Sequence, residues 1–265
     1  MCRFLSYTGP EVLMADWLFS SEHSLVEQSR HARLRHDPVN GDGFGLGWYP
    51  LHDDPEPGLF TSVEPAWSNR NLRQISAKVY SRHFFAHVRD ASANMPVSQT
   101  NCHPFQYGPF LWMHNGVLKD FARMKRPLMD ELSDTSFGMI QGNTDSEHVF
   151  ALFLDLIGHD PKADGQTMKS ALLATLDKVI QLRKEMGLRS AAYMNFAVSN
   201  GKESFYTRFS YSGSGKAIPP SLFYLQGKTC IVASEPLSKS GNWHEVGRQQ
   251  LVHVKQNAKI VTMNL

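Results

Sequence analysis

The chain has 265 residues and 42% hydrophobic content, which is enough for one large core or two small ones. Its 27 Lys and Arg against 25 Asp and Glu leave a net charge of +2, so composition gives no electrostatic case for nucleic acid. No apolar run reaches membrane-spanning length, and the N-terminus lacks the basic segment and apolar core of a secretory signal.

Residues 1–8 alternate loosely and predict a strand, and residues 12–19 predict a short helix. Asn40-Gly41-Asp42-Gly43 is a turn cluster, and the glycine-rich stretch after it, residues 44–49, predicts a strand. "HDDPEPG" is a surface loop. Residues 69–80 predict a helix, "HFFAHV" a buried strand, and "FLWMHNG" a strand that ends in a turn. Helices are expected over 121–132, 146–157 and 166–186, the second introduced by a capping box from Thr144 to Glu147. The last third returns to strands at "SAAYMNFAVSN", "SLFYLQ", "TCIVAS", "QLVHVKQ" and "KIVTMNL". Strands at both ends with helices between them predict an α+β fold of layered sheets and helices. There is no clear linker, and residues 210–220 read as a loop within a single domain spanning 2–265.

Three widely spaced cysteines, Cys2, Cys102 and Cys230, make neither a disulfide framework nor a C-x-x-C zinc pair, which points to a reducing cytoplasm. Cys2 stands directly behind the initiator. By itself that position suits a small buried hydrophobe at a strand start. If Met1 is removed, however, Cys2 carries both a thiol and a free α-amine, and such an amine titrates near pH ~8 in model compounds. The amine can then activate the thiol as a nucleophile, with sulfur in the place that oxygen takes in N-terminal threonine enzymes. Attack on a carbonyl needs donors for the oxyanion. Asn115 and Gly116 in "WMHNGVL" can supply a side-chain amide and a backbone N–H, with Gly116 at positive φ for close approach; the same dipeptide is also a common hairpin turn. Arg89, just past the "FFAHV" strand, is either a structural arginine or a bidentate partner for a carboxylate. Asp145 at a helix start either caps the helix or grips an ammonium. A site with both would suit the zwitterionic head of an α-amino acid. The histidines show no metal-ligand spacing, and "GDGFGLG" lacks the order of a phosphate loop.

"MCRF", "NGDGFGLGWY", "FAHVRDAS", "NCHPF", "MHNG", "GNTDSE" and "VASEPL" follow one another in the order seen in class II glutamine amidotransferases, which the chain resembles. Within that family, "HSLVEQSRHARLR", "EPAWSNRNL" and "SQTNCHPF" look like the stand-alone branch: the amidotransferase-type subunit of the fungal glutathione-degradation complex and the ergothioneine-pathway amidohydrolase. The resemblance implies a four-layered αββα N-terminal-nucleophile (Ntn) hydrolase fold and cleavage of γ-glutamyl amide bonds through a thioester on Cys2. It implies Asn115 and Gly116 as the oxyanion hole, Arg89 and Ser92 as contacts to the glutamyl α-carboxylate, and Asp145 as the contact to the α-amine. It calls for no metal or organic cofactor. Asn40, Asp42 and Gly43 stand where synthase-linked members carry Arg-Gly, which leaves the roles of Asn40 and Asp42 open. The partner implied is a γ-glutamyl small molecule or peptide, with a peptidase or synthase subunit beside it and neither nucleic acid nor membrane. The rival expectation is a non-catalytic amidotransferase-like partner of a metallopeptidase.

Overall fold

The strand pattern at the N-terminus continues further than its sequence suggests. In the computed structural model, which describes residues 2–34, 38–91 and 95–265, β1 runs over Arg3–Leu13. Met14–Leu18 (α1) and Leu25–His31 (α2) follow, then Phe44–Trp48 (β2), Gly58–Ser62 (β3), Arg70–Ser76 (α3) and Tyr80–Val88 (β4). The predicted helix over 69–80 is therefore shorter: Asn69 caps it through Leu72 N at 2.7 Å, and Tyr80 already belongs to β4. Next come Phe105–Tyr107 (β5), Phe110–Leu118 (β6), Phe121–Met129 (α4), Asp134–Met139 (α5), Asp145–Leu156 (α6) and Gly165–Glu185 (α7). The chain ends on Ala192–Ser199 (β7), Ser204–Arg208 (β8), Ser210–Tyr211 (β9), Phe223–Gln226 (β10), Cys230–Ala233 (β11), Trp243–Glu245 (β12), Gln250–Val254 (β13) and Ile260–Asn264 (β14). Ser92 and Met1 lie outside the described residues.

Two antiparallel sheets result. One has the order β12-β10-β11-β1-β4-β2-β3, the other β14-β13-β8-β7-β6-β5, with β9 added beside β7. Side chains alternate across a strand, so each sheet has two faces to bury. The apolar ones sort into three cores. Leu5, Tyr7, Phe84, Ala86 and Ile231 pack under α1–α3; Phe110, Trp112 and Met194 pack under α4, α6 and α7; and Phe4, Phe85, Leu111, Met113, Ala197 and Val232 fill the space between the sheets. The layers are thus helix, sheet, sheet, helix. Trp112 stacks on Phe150 of α6 at 5.6 Å and is fully buried, a burial that contributes about 2–3 kcal/mol for a side chain of this size.

The capping box at α6 takes a modified form. Thr144 Oγ1 accepts the Glu147 N–H at 3.2 Å, but the Glu147 carboxylate turns to the N–H groups of Gln141 and Gly142 at 2.8 and 2.7 Å.

Candidate active site

Strand parity aims the site residues. Phe4 faces the inter-sheet core and Leu5 the helices, so Cys2 shares the face of Phe4, toward the second sheet. On β4, Phe85 faces inward and Val88 outward, so Arg89 continues the inward face. On β6, Leu111 and Met113 face inward, and Asn115 follows them. Cys2, Arg89 and Asn115 thereby converge on one space between the sheets.

Cys2 is 8% exposed. Its Sγ lies 3.5 Å from the Asp90 N–H and 3.7 Å from the Asp90 carbonyl oxygen. Burial pushes the thiol pKa up, while the Asp90 N–H and the Arg89 guanidinium pull it down. A thiol held high in this way needs a local base to become a thiolate.

Arg89 is buried, and its guanidinium donates to the carbonyl oxygens of Asp42 at 3.3 Å and Pro96 at 3.2 Å. The Asn40–Gly43 turn clasps the same segment. Asp42 N–H donates to Arg89 O at 3.1 Å, Arg89 N–H to Gly43 O at 2.8 Å, and Asp42 Oδ2 accepts the Ala91 N–H at 2.8 Å. Asn40 is fully buried, with its N–H on Ser29 O at 2.7 Å. Gly43 has φ +113°, and a Cβ there would meet Cys102 Sγ at 2.7 Å. The turn therefore anchors Arg89 and packs on the Cys102 loop.

Asn115 and Gly116 form no turn. They stand inside β6, paired with Asn195 and Met194 of β7, because the ladder runs on to Leu118 opposite Ala192. Gly116 is not among the positive-φ glycines; what requires glycine is contact, since a Cβ would meet Tyr193 O at 2.0 Å and His114 Nε2 at 2.4 Å. Asn115 is fully buried and donates from Nδ2 to Ser234 Oγ at 3.2 Å, and Ser234 Oγ also accepts the Phe4 N–H at 3.0 Å. One hydroxyl thus joins the oxyanion candidate to the nucleophile's strand.

Asp145 is the first residue of α6, and Thr144 is its cap. Its carboxylate accepts the Leu118 N–H at 2.7 Å, the Ser146 N–H at 2.8 Å and the Ser146 hydroxyl at 3.1 Å, with His114 Nδ1 at 4.0 Å. These partners lie at the Leu118 end of β6 and on its helix-facing side, opposite Asn115, and a substrate ammonium would be a further donor to an already engaged group. His114 also bonds Ser146 Oγ through Nδ1 and Tyr193 O through Nε2, both at 2.8 Å, fixing β6 to β7 and α6. Sequence reasoning assigned no part to His114, Ser234, Arg3 or Glu235, although the motifs "MHNG", "VASEPL" and "MCRF" contain them. Among the described residues, no group of three or more His, Cys, Asp or Glu could hold a metal ion.

Comparison with known proteins gives the family and the fold. The family model of the class II glutamine amidotransferases matches residues 22–211. A Saccharomyces cerevisiae protein described as a probable glutamine amidotransferase, DUG3, is 36% identical over 296 residues, covering 97% of this chain and 82% of its own. A γ-glutamyl-hercynylcysteine sulfoxide hydrolase of Mycolicibacterium smegmatis is 26% identical, covering 99% of each chain. Among solved structures, a glutamine aminotransferase class-II domain protein from Silicibacter pomeroyi superposes with a TM-score of 0.73 at 25% identity, covering 99% of each chain. The Bacillus subtilis glutamine phosphoribosylpyrophosphate amidotransferase, 16% identical, shares the fold at a TM-score of 0.62, covering 99% of this chain and 49% of its own. The chain belongs to the class II glutamine amidotransferases, enzymes of the Ntn type with an N-terminal cysteine nucleophile.

Proposed function

We propose that this chain, acting as one domain over residues 2–265, hydrolyses γ-glutamyl amide bonds in a reducing cytoplasm. The supporting observation is the shared inward parity of Cys2, Arg89 and Asn115, with Asn115 tied to the Cys2 strand through Ser234. Removal of Met1 frees the Cys2 α-amine. The amine takes the thiol proton, and sulfur attacks the δ-carbonyl carbon. The carbonyl oxygen gains charge against the Asn115 amide and the Gly116 N–H. Collapse breaks the C–N bond, and the leaving amine departs with the proton the α-amine held. Water, deprotonated by the same amine, then hydrolyses the thioester. Arg89 and Ser92 hold the α-carboxylate of the glutamyl head, and Asp145 holds its ammonium.

The likeness to the γ-glutamyl-hercynylcysteine sulfoxide hydrolases, with the glutathione-degradation motifs of the sequence, favours a peptide or conjugate leaving group over ammonia. A larger leaving group adds binding energy outside the glutamyl site, which can be used to position the carbonyl over Cys2. A peptidase subunit that consumes the released peptide is the partner this reading implies. The test compares kcat/KM for glutamine, γ-glutamylcysteine, glutathione and γ-glutamyl-hercynylcysteine sulfoxide, with and without candidate peptidases. A peptide or conjugate is expected to lead. Glutamine ahead by a wide margin in every condition overturns the choice of substrate, and no turnover of any of them with Cys2 unmodified favours the non-catalytic partner.

A further inference from the structure

Positions 234 and 235 follow β11 directly, and successive side chains leave a strand on opposite faces. Ser234 points between the sheets. It accepts the Asn115 Nδ2–H and the Phe4 N–H, and its own N–H donates to Phe4 O at 3.0 Å. Glu235 points to the helix layer. Its Oε1 accepts Arg3 Nε–H at 2.7 Å, and Arg3 Nη1 donates to the Cys2 carbonyl oxygen at 2.8 Å. The same carboxylate takes His23 Nε2 at 2.8 Å and the N–H groups of Arg33 and Leu34 at 2.8 and 3.0 Å. Ser234 and Glu235 are 0% and 1% exposed, and Arg3 is 1% exposed.

We propose that Ser234 and Glu235 are positioning residues that set the oxyanion donor and the nucleophile in register, Ser234 through Asn115 and Glu235 through Arg3. The proposal rests on the reading of Cys2 as nucleophile and Asn115 as oxyanion donor. A carboxamide torsion is broad and nearly two-fold, so an unrestrained Asn side chain can present oxygen as readily as nitrogen. Presenting Oδ1 to a developing oxyanion would repel it. Asn115 Oδ1 has no hydrogen-bond partner among the described residues while Nδ2 donates to Ser234 Oγ, so the amide presents nitrogen to the Cys2 strand. One Nδ2–H is committed to Ser234, and the second remains for the oxyanion. On the other face, the planar guanidinium of Arg3 spans two acceptors at once, Glu235 and Cys2 O, which a lysine ammonium on one flexible stem does not reproduce. Both links act on the nucleophile–oxyanion spacing, where a displacement of about 1 Å can lower the rate by about a hundredfold.

The experiment measures hydrolysis of γ-glutamylcysteine by Ser234→Ala, Asn115→Ala and the double variant, beside Ser221→Ala, which removes only the 2.8 Å bond to the Ser234 carbonyl. Ser234→Ala is expected to lower kcat by about tenfold or more with KM within about twofold, the pattern of an interaction expressed in the transition state. In the Asn115→Ala background the same change is expected to lower kcat no further, because the two residues act as one unit. Ser221→Ala is expected to match the native rate. An unchanged kcat in Ser234→Ala, or an equal loss in both backgrounds, overturns the Ser234 half. Since loss of Glu235 alone leaves a buried charge, Arg3→Lys reads the other link. Its kcat is expected to fall several-fold with KM within about twofold, and a native kcat overturns the Glu235 half. Cys2→Ala and Asn115→Ala alone test the underlying reading: native activity in either discards that reading, whatever the other variants show.

Discussion

Acid should weaken this fold through His83, and the size of the effect follows from where the ring sits. His83 lies on the inward face of β4, 6% exposed, stacked on Tyr49 at 5.2 Å. Its Nδ1 lies 2.7 Å from Tyr7 O and 2.8 Å from Thr8 Oγ1, and its Nε2 2.7 Å from Ser199 Oγ. A neutral ring with its proton on Nδ1 satisfies this set, donating to the Tyr7 carbonyl and accepting at Nε2. Burial lowers the pKa from 6.5 to about 4, against the Tyr7 hydrogen bond, which raises it. A base depressed in the folded state binds its proton first in the unfolded chain. Its contribution is therefore complete above pH 6.5, is lost as pH falls below that value, and stops changing once pH passes about 4. At pH ~5, roughly 1.5 pH below the unfolded value, the loss is ~2 kcal/mol at about 1.36 kcal/mol per pH unit. His87, lowered to about 3 chiefly by burial, adds a loss of the same sign. Together they remove a large share of the 5–15 kcal/mol typical of domains. Urea unfolding at pH ~7.5 and ~5 would measure this in native protein and in His83→Gln, which keeps a donor and an acceptor but cannot titrate. The native chain should lose ~2 kcal/mol more than the variant between the two conditions. Parallel losses in the two proteins would refute the assignment of a buried neutral ring at this position.

Cys2→Ala should fold normally and abolish turnover, while Cys102→Ala should stay active although its thiol neighbours the site; retained activity in Cys2→Ala would dismiss the nucleophile. Arg89→Ala should act on binding, with a loss of about 2–5 kcal/mol for a desolvated charged contact, read as a raised KM. Asn115→Ala should instead lower kcat by about a hundredfold or more, and a change confined to KM would end its oxyanion role. Gly116→Ala drives a methyl into Tyr193 O, 2.0 Å away in the ideal geometry, so β6 must part from β7; the melting temperature should fall together with kcat, since overpacking costs about 1–3 kcal/mol or more. A Gly116→Ala chain of native stability would show that this strand pair yields freely.

What the sequence determined by itself was local chemistry and its order along the chain. Cysteine behind the initiator, the period-2 strands and the 3.6-period helices follow from neighbouring residues alone and predict the layered α+β class, while the order of seven motifs carried the resemblance to the family. The shared facing of Cys2, Arg89 and Asn115 came from strand parity only after the structure had placed them along β1, β4 and β6. Tertiary structure decided the rest, where the interacting groups are far apart in sequence. The Asn-Gly preference for a turn is a local one, and continued pairing of Val117 and Leu118 with Tyr193 and Ala192 overrides it. Ser234 meets Asn115 across 119 positions, and Arg3 meets Glu235 across 232. No residue pattern within a strand or helix encodes such pairs. They exist because β11 lies beside β1 in one sheet and β6 faces them from the other. Burial of Asn115 and Arg3 between and beneath these strands then makes Ser234 and Glu235, rather than neighbours in sequence, their partners.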